Sequence, residues 1–289
     1  MPDGVIVVDK PAGMTSHDVV DEVRRRLRTR KVGHSGTLDP DATGVLVIGV
    51  GRATRLLAYV QSLPKRYTAV ARFGSTTTTQ DASGELVDSR AVTVDEHDIA
   101  AALRNFIGEI EQIPPMVSAV KIGGERLYKK ARRGEEIERA SRIVTILEAT
   151  VRAFDRPDAT LDVRCSSGTY VRTLVHDLGA ALGCGAHLRS LRRTEAGGFG
   201  LFDAVSLDSV DARSTRPMTD AVTGLRRLEI DDDLARRVRD GRPLELLEST
   251  STSSEPVALI HNGELLAVYR PEAGRLVAER VLPPPRVAP

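Results

Sequence analysis

Tryptophan is absent from this 289-residue chain, and aromatic residues make up only 3% of it. A sheet that reads RNA by stacking bases on two or three exposed aromatics therefore fits poorly. Cysteine occurs twice, at Cys165 and Cys184, which gives neither a disulfide framework nor zinc-type spacing. No stretch approaches 18 consecutive apolar residues, so no membrane-spanning helix is expected. Met1 to Lys10 lacks the charged-then-apolar layout of a secretory signal, and a cytoplasmic protein is expected. The six histidines (His17, His34, His97, His176, His187 and His261) are dispersed, with no HExxH or CxxC partner, so no metal site is expected. No GxxxxGK[ST] loop occurs, and Ser35 lies in Gly-His-Ser-Gly-Thr rather than in a G-x-S-x-G elbow. Nucleoside-triphosphate hydrolysis and serine-hydrolase chemistry are both disfavoured.

What is present is arginine. The net charge is only +1, but six of the 41 basic residues are lysine and the rest arginine. A guanidinium pairs with phosphate oxygens through a planar fork, although genome composition explains such a bias equally well. The basic residues cluster at Arg24–Lys31, at Lys129, Lys130, Arg132 and Arg133, and at Arg189, Arg192 and Arg193. Any one such run is ordinarily a solvated face.

At 41% hydrophobic and 28% charged, the composition is that of an ordinary globular protein, large enough for one catalytic-size domain and a smaller one. Residues 5–8 read as a buried strand, and a helix is expected from Thr15 or Ser16 with Val19, Val20, Val23 and Leu27 on one face. Residues 33–44 read as a loop, 45–50 as a central strand, 53–61 as a helix and 67–73 as a strand. A polar loop is expected over 74–84, a helix over 95–108, a strand over 116–122 and a helix-like stretch over 125–133. Residues 143–154 and 160–166 suit paired strands, and 170–182 a helix ended by Gly183 and Gly185. Residues 209–224 read as a connector, followed by a helix at 233–239 and strands at 256–260, 265–269 and 275–281. Irregular alternation of this kind points to an α+β fold with a mixed, largely antiparallel central sheet and flanking helices, plus a small β-rich C-terminal domain. The boundaries expected are 1–224 and 225–289.

The segment Gly33-His34-Ser35-Gly36-Thr37-Leu38-Asp39-Pro40-Asp41-Ala42-Thr43-Gly44 stands out. Pro40 biases Asp39 toward an extended backbone and would hold a carboxylate at the mouth of a sheet. Taken alone, an Asp-Pro pair reads more simply as a turn.

This segment, continued as GHSGTLDPDATGVL, resembles the signature of the TruB family of tRNA pseudouridine synthases. Residues 9–18 (DKPAGMTSHD), 65–67 (KRY), 74–85, 114–121 (PPMVSAVK), 165–173 (CSSGTYVRT) and 186–193 (AHLRSLRR) resemble further motifs of that family, in family order. The resemblance covers roughly residues 5–200, and the C-terminal part is loosely similar to the family's PUA-like domain.

The resemblance implies a pseudouridine synthase fold and isomerisation of uridine 55 in the T loop of tRNA, by base flipping and transfer of the glycosidic bond from N1 to C5. No metal or cofactor is implied. It places the essential carboxylate at Asp39, the stacking aromatic at Tyr67, the carboxylate's arginine partner at Arg172 and an apolar pocket residue at Leu191. Lys10 would brace the pocket, and His34 would enter the T loop where the uridine leaves. An Arg172 partner is expected to lower the Asp39 pKa. The segment 121–142 looks like a basic RNA-gripping insertion, with Lys129, Lys130, Arg132 and Arg133 on phosphates and Gly123, Gly124 and Gly134 as hinges. A monomer without an obligate protein partner is expected. Two alternatives stay open: a guide-RNA-dependent synthase, or a catalytically silent RNA-binding or RNA-chaperone protein on the same fold.

Overall fold

The computed structural model describes residues 3–115, 139–245 and 255–284, with the backbone pairing of 121–122 and 125–126. The chain runs β1 (Gly4–Lys10), α1 (Ser16–Arg26), β2 (Val32–His34), β3 (Thr43–Val50), α2 (Leu57–Ser62), β4 (Lys65–Phe73), β5 (Ser75–Thr77), β6 (Leu86–Ser89), α3 (Glu96–Arg104) and β7 (Gly108–Gln112). It continues with β8 (Lys121–Ile122), β9 (Glu125–Arg126), β10 (Arg142–Asp155), β11 (Asp158–Cys165), α4 (Val171–Ala181), β12 (Ala186–Ala196), β13 (Phe199–Gly200) and β14 (Val205–Ser206). The last elements are β15 (Arg226–Glu229), α5 (Asp232–Arg239), β16 (Leu244–Glu245), β17 (Val257–His261), β18 (Glu264–Glu272) and β19 (Arg275–Val281).

The central sheet has the order β14-β1-β3-β12-β4-β11-β10-β7, with β2 added on β3 and β13 on β12. Only β1 with β14 and β3 with β12 run parallel; every other pair in it is antiparallel. A second sheet has the order β15-β17-β18-β19-β16. The α+β class expected from sequence is therefore the observed one.

The middle of β1 (5–8) and of β3 (45–48) is continuously apolar because both faces are covered there. Ile6, Val8, Leu46 and Ile48 face Val19, Val20 and Val23 of α1. The alternate residues Val5, Val7, Val45 and Val47 share a core with Ala258, Ile260, Leu265 and Val268 of the second sheet. Polar contacts reinforce that packing: the Tyr59 hydroxyl donates to Glu279 at 2.7 Å and Arg52 Nη1 to the Pro283 carbonyl at 2.9 Å. Farther along the central sheet, Val171, Leu174, Val175 and Leu178 of α4 pack with Ala69, Ala71, Phe73, Leu161 and Val163.

α1 starts where its sequence says it should. Thr15 Oγ1 accepts from the Asp18 N–H at 3.1 Å and Asp18 accepts from the Thr15 N–H at 2.8 Å, a capping box. Its arginines pair with carboxylates of their own helix, Arg24 with Asp21 and both Arg25 and Arg26 with Glu22. Arg26 also reaches Asp208 at 3.0 Å, so the helical arginines are engaged by the protein's own acceptors.

Several expectations need correction. The helix expected over 53–61 is split into a 3-10 turn, Gly51–Arg55, and α2, because Asp3 holds the Arg52 N–H at 2.7 Å and its Nε at 2.6 Å and tightens the first turn. The 33–44 loop begins with β2, and the 74–84 loop contains β5, which pairs with β6. The helix expected over 95–108 ends at Arg104, and β7 follows from Gly108, whose φ of +106° breaks the helical path. Residues 125–126, expected to be helical, pair as a strand with 121–122; 116–120 and 127–133 lie outside the described residues. β12, in the middle of the sheet, was not expected. It is rich in polar residues, and register shifts between Leu188 and Ser190 and between Arg193 and Glu195 interrupt its alternation.

Replacing Thr15 by Ala should lower stability by about 1 kcal/mol through loss of the cap. Urea denaturation checks this, and the slope m should stay unchanged.

Candidate active site

The loop from Ser35 to Ala42 is clamped from several sides. Ser16, buried at the start of α1, donates its hydroxyl to the Leu38 carbonyl at 3.1 Å and accepts the Leu38 N–H at 2.8 Å. Lys10, wholly buried, donates its ammonium to the carbonyls of Pro11 at 2.8 Å and Pro40 at 2.9 Å. From β12, the buried Arg193 donates Nε to the Val45 carbonyl at 2.7 Å and Nη2 to the Gly36 carbonyl at 3.2 Å. Gly44, with φ +102°, closes the loop where a Cβ would meet the Arg193 carbonyl oxygen at 2.1 Å, so no larger residue fits.

Asp39 is presented by this loop to the start of α4. The Arg172 guanidinium donates Nη2 to Asp39 Oδ1 at 3.3 Å and sets Nε 3.1 Å from Oδ2 in an ion pair, a two-point fork. Its Nη1 donates to Asp81 Oδ2 at 3.0 Å and to the Thr79 carbonyl at 3.3 Å. Asp81 in turn accepts from the Thr79 hydroxyl at 2.6 Å, the Ser83 hydroxyl at 2.6 Å and the Ser83 N–H at 3.1 Å. One guanidinium thus serves two carboxylates. Arg172 is only 4% exposed whereas the Asp39 side chain is 43% exposed, so the carboxylate opens outward while its partner stays fixed. The first turn of α4 is itself held by the buried Gln112 of β7, which accepts the Tyr170 N–H at 3.0 Å and donates to the Tyr170 carbonyl at 3.2 Å.

A cleft of about 600 Å³ opens beside Asp39 and Arg172. Its walls include Lys65, Tyr67, Tyr170, Leu191 and Arg193. A second cavity of about 410 Å³, lined by Asp41, Asp81, Ser83 and Arg189, shares Asp39, Arg172 and Leu191 with the first. The size and the mix of apolar walls with a few convergent charges are those of a small-molecule or nucleotide site.

The electrostatics correct one expectation. Arg172 does pull the Asp39 pKa down, but burial, aided by the charges of Asp81 and Asp41, raises it by more, and the net direction is upward. Burial also raises the Tyr67 phenol, with Arg193 opposing. The Lys10 ammonium is pushed down to about 8 by burial, against the pull of Asp41 and Asp39.

Asp39, Arg172, Tyr67 and Leu191 converge on the cleft. Lys10 lies beneath the loop and supports it without lining the cleft. His34 ends β2 outside the cleft lining, its ring edge-on to that of His17 with centroids 6.0 Å apart. Lys129, Lys130, Arg132 and Arg133 lie outside the described residues. Asp81, Tyr170 and Gln112 were missed. Asp81 sits in a polar run, GSTTTTQDASGE, where nothing local separates it from a turn residue. Tyr170, beside Arg172 in the GTYVRT motif, could have been found; Arg142 stacks over its ring at 5.1 Å.

Residues 24–171 match the family model for the N-terminal domain of TruB family pseudouridylate synthases, and 172–228 match the tRNA pseudouridylate synthase B C-terminal domain. The chain belongs to the TruB family. It is an isomerase of the pseudouridine synthase class. A tRNA pseudouridine synthase B from Thermobifida fusca is 48% identical over 90% of this chain and 99% of its own length. One from Cutibacterium acnes is 47% identical over 93% of each chain. Among solved structures, a Cbf5–Nop10–Gar1 complex matches with a TM-score of 0.76 and 28% identity, covering 97% of this chain and 85% of that one.

Lys10 generates a pH prediction. Its ordinary value is 10.5 and its folded value about 8, so the group favours the folded state above 10.5 and loses that advantage as pH falls through about 8. Stability should therefore rise between those values. In Lys10→Met the rise should be smaller, by roughly 3 kcal/mol at most. Urea unfolding of both proteins across that window is the check.

Proposed function

We propose that the protein isomerises uridine 55 in the T loop of tRNA to pseudouridine, with Asp39 as the essential carboxylate. The observation that carries this reading is the two-point fork of Arg172 on Asp39 at the mouth of the cleft. The high identity to bacterial enzymes named tRNA pseudouridine synthase B supports tRNA as substrate.

A base within a folded T loop is out of reach, so the nucleotide must turn out into the cleft. Tyr67 and Leu191 offer flat and apolar surfaces on which a flipped uracil can lie. Asp39, engaged at both oxygens by the Arg172 guanidinium, would meet the sugar side of the nucleotide in a set orientation. His34 would fill the space the uridine vacates, and Lys129, Lys130, Arg132 and Arg133 would hold phosphates. In this reading residues 1–224 form the catalytic unit, 225–289 act as a PUA-like unit, and a cytoplasmic monomer needs no protein partner.

The likeness to Cbf5 complexes, and to a structure titled as an H/ACA RNP bound to a substrate RNA, raises a guide-RNA-dependent reading. The identity to the RNA-bound structure is 26%, far below the 48% to the bacterial synthase, which favours independent action. Purified protein and an unmodified tRNA transcript, with no added RNA or protein, separate these readings; pseudouridine at position 55 is the expected product. Asp39→Asn should abolish conversion while leaving tRNA affinity within about tenfold, because phosphate contacts elsewhere dominate binding. Turnover by a verified Asp39→Asn protein would remove Asp39 from its role.

A further inference from the structure

Lys65 and Arg193 are two of the cleft's cations, beside Arg142 on its lining, that uridine recognition by Asp39, Arg172, Tyr67 and Leu191 leaves unused. Both line the cleft, and both are buried, with 6% and 2% of their surface exposed. Neither has a carboxylate within 4.0 Å among the described residues. Arg193 donates to the carbonyls of Val45 and Gly36, and Lys65 to those of Gln61 and, at 2.6 Å, Leu63. Among the described residues, the charges felt by Lys65 are those of Arg193 and Cys165. Two adjacent cations without a counter-ion are costly to bury. Such an arrangement becomes favourable when a negative charge arrives between them.

The reaction creates such a charge. When N1–C1′ breaks, the bonding pair stays on N1, and the uracil becomes an anion with its charge spread over O2 and O4. This holds whether Asp39 captures C1′ or takes a sugar proton. After the ring turns, C5 returns a pair to C1′, Asp39 regains its carboxylate charge, and the C5 proton passes to N1. The product is an isomer, with no oxidant or reductant involved.

We propose that Lys65, with Arg193 behind it, is a further catalytic residue that stabilises the departing uracil anion, Lys65 donating its third N–H to a uracil oxygen. The assignment rests on the pseudouridine synthase reading above. A purely structural role competes with it, because the two carbonyls Lys65 holds lie at the C-terminal end of α2, where a cation also acts as a cap. Capping uses only two of the three ammonium donors, which leaves one for the cleft that Lys65 lines.

The experiment compares single-turnover cleavage of N1–C1′ in tRNA carrying uridine or 5-fluorouridine at position 55. Fluorine withdraws electrons from the ring, so its anion needs less help from the protein. Wild type, Lys65→Met and Lys65→Gln are compared; Gln keeps N–H donors for the α2 carbonyls but carries no charge. Each variant should slow uridine cleavage about 100-fold, as loss of an oxyanion donor does. Cleavage of 5-fluorouridine should slow about tenfold or less, and tRNA affinity should stay within about threefold. Equal slowing of both substrates, no slowing, or failure of both variants to fold would make Lys65 a helix cap and overturn the assignment. A wild-type protein that leaves both substrates unreacted would instead overturn the activity on which the assignment rests.

Discussion

A single buried guanidinium organises this molecule. Arg172 is fixed in the first turn of α4, and its position depends on the apolar stripe that packs α4 on the central sheet and on Gln112, which grips the turn ahead of it. From there it reaches across to two loops that are distant in sequence, holding Asp39 at two points and Asp81 at one. Because Arg172 is nearly inaccessible and Asp39 is not, the buried partner sets the direction of the exposed one. The clamps on the Asp39 loop, from Ser16, Lys10 and Arg193, serve the same end from the opposite side.

The charges around the cleft are arranged against solvation rather than for it. Burial raises the Asp39 carboxyl despite Arg172, and burial lowers both Lys10 and Lys65 to about 8. Each group is thereby drawn toward neutrality by its surroundings and held charged by main-chain carbonyls or by its partner. Three such groups gather around one cleft, the pattern expected of a site kept for chemistry.

Much of this was legible in the sequence, for identifiable reasons. The hydroxyls at Thr15 and Ser16 and the valines behind them announce α1, and the alternation of 143–154 with 160–166 announces the β10–β11 pair. The double coverage of β1 and β3 is visible as the unbroken apolar runs 5–8 and 45–48. β12 was hidden because two bulges shift its register and because its buried Arg193 looks like a surface charge in a row of arginines. At the site, Asp39, Tyr67, Arg172 and Leu191 were accessible through motif resemblance. Asp81 was not, since only the fold brings its polar loop to Arg172, 91 residues away in the chain. The direction of the Asp39 shift failed for the same reason: the pairing with Arg172 could be read, but the burial and the second carboxylate could not.

The central claim is that the geometry of the Arg172 fork, beyond its charge, sets the carboxylate for reaction. Arg172→Lys keeps the charge and discards the fork, since an ammonium is a single point of attraction rather than a planar pair of donors. Single-turnover conversion of tRNA by this variant, measured with saturating protein and alongside its tRNA affinity, tests the claim directly. The account predicts a rate lowered by about 100-fold or more with binding nearly unchanged, the signature of an interaction needed in the transition state. A near-normal rate at saturation would contradict it and leave Arg172 as a structural charge alone.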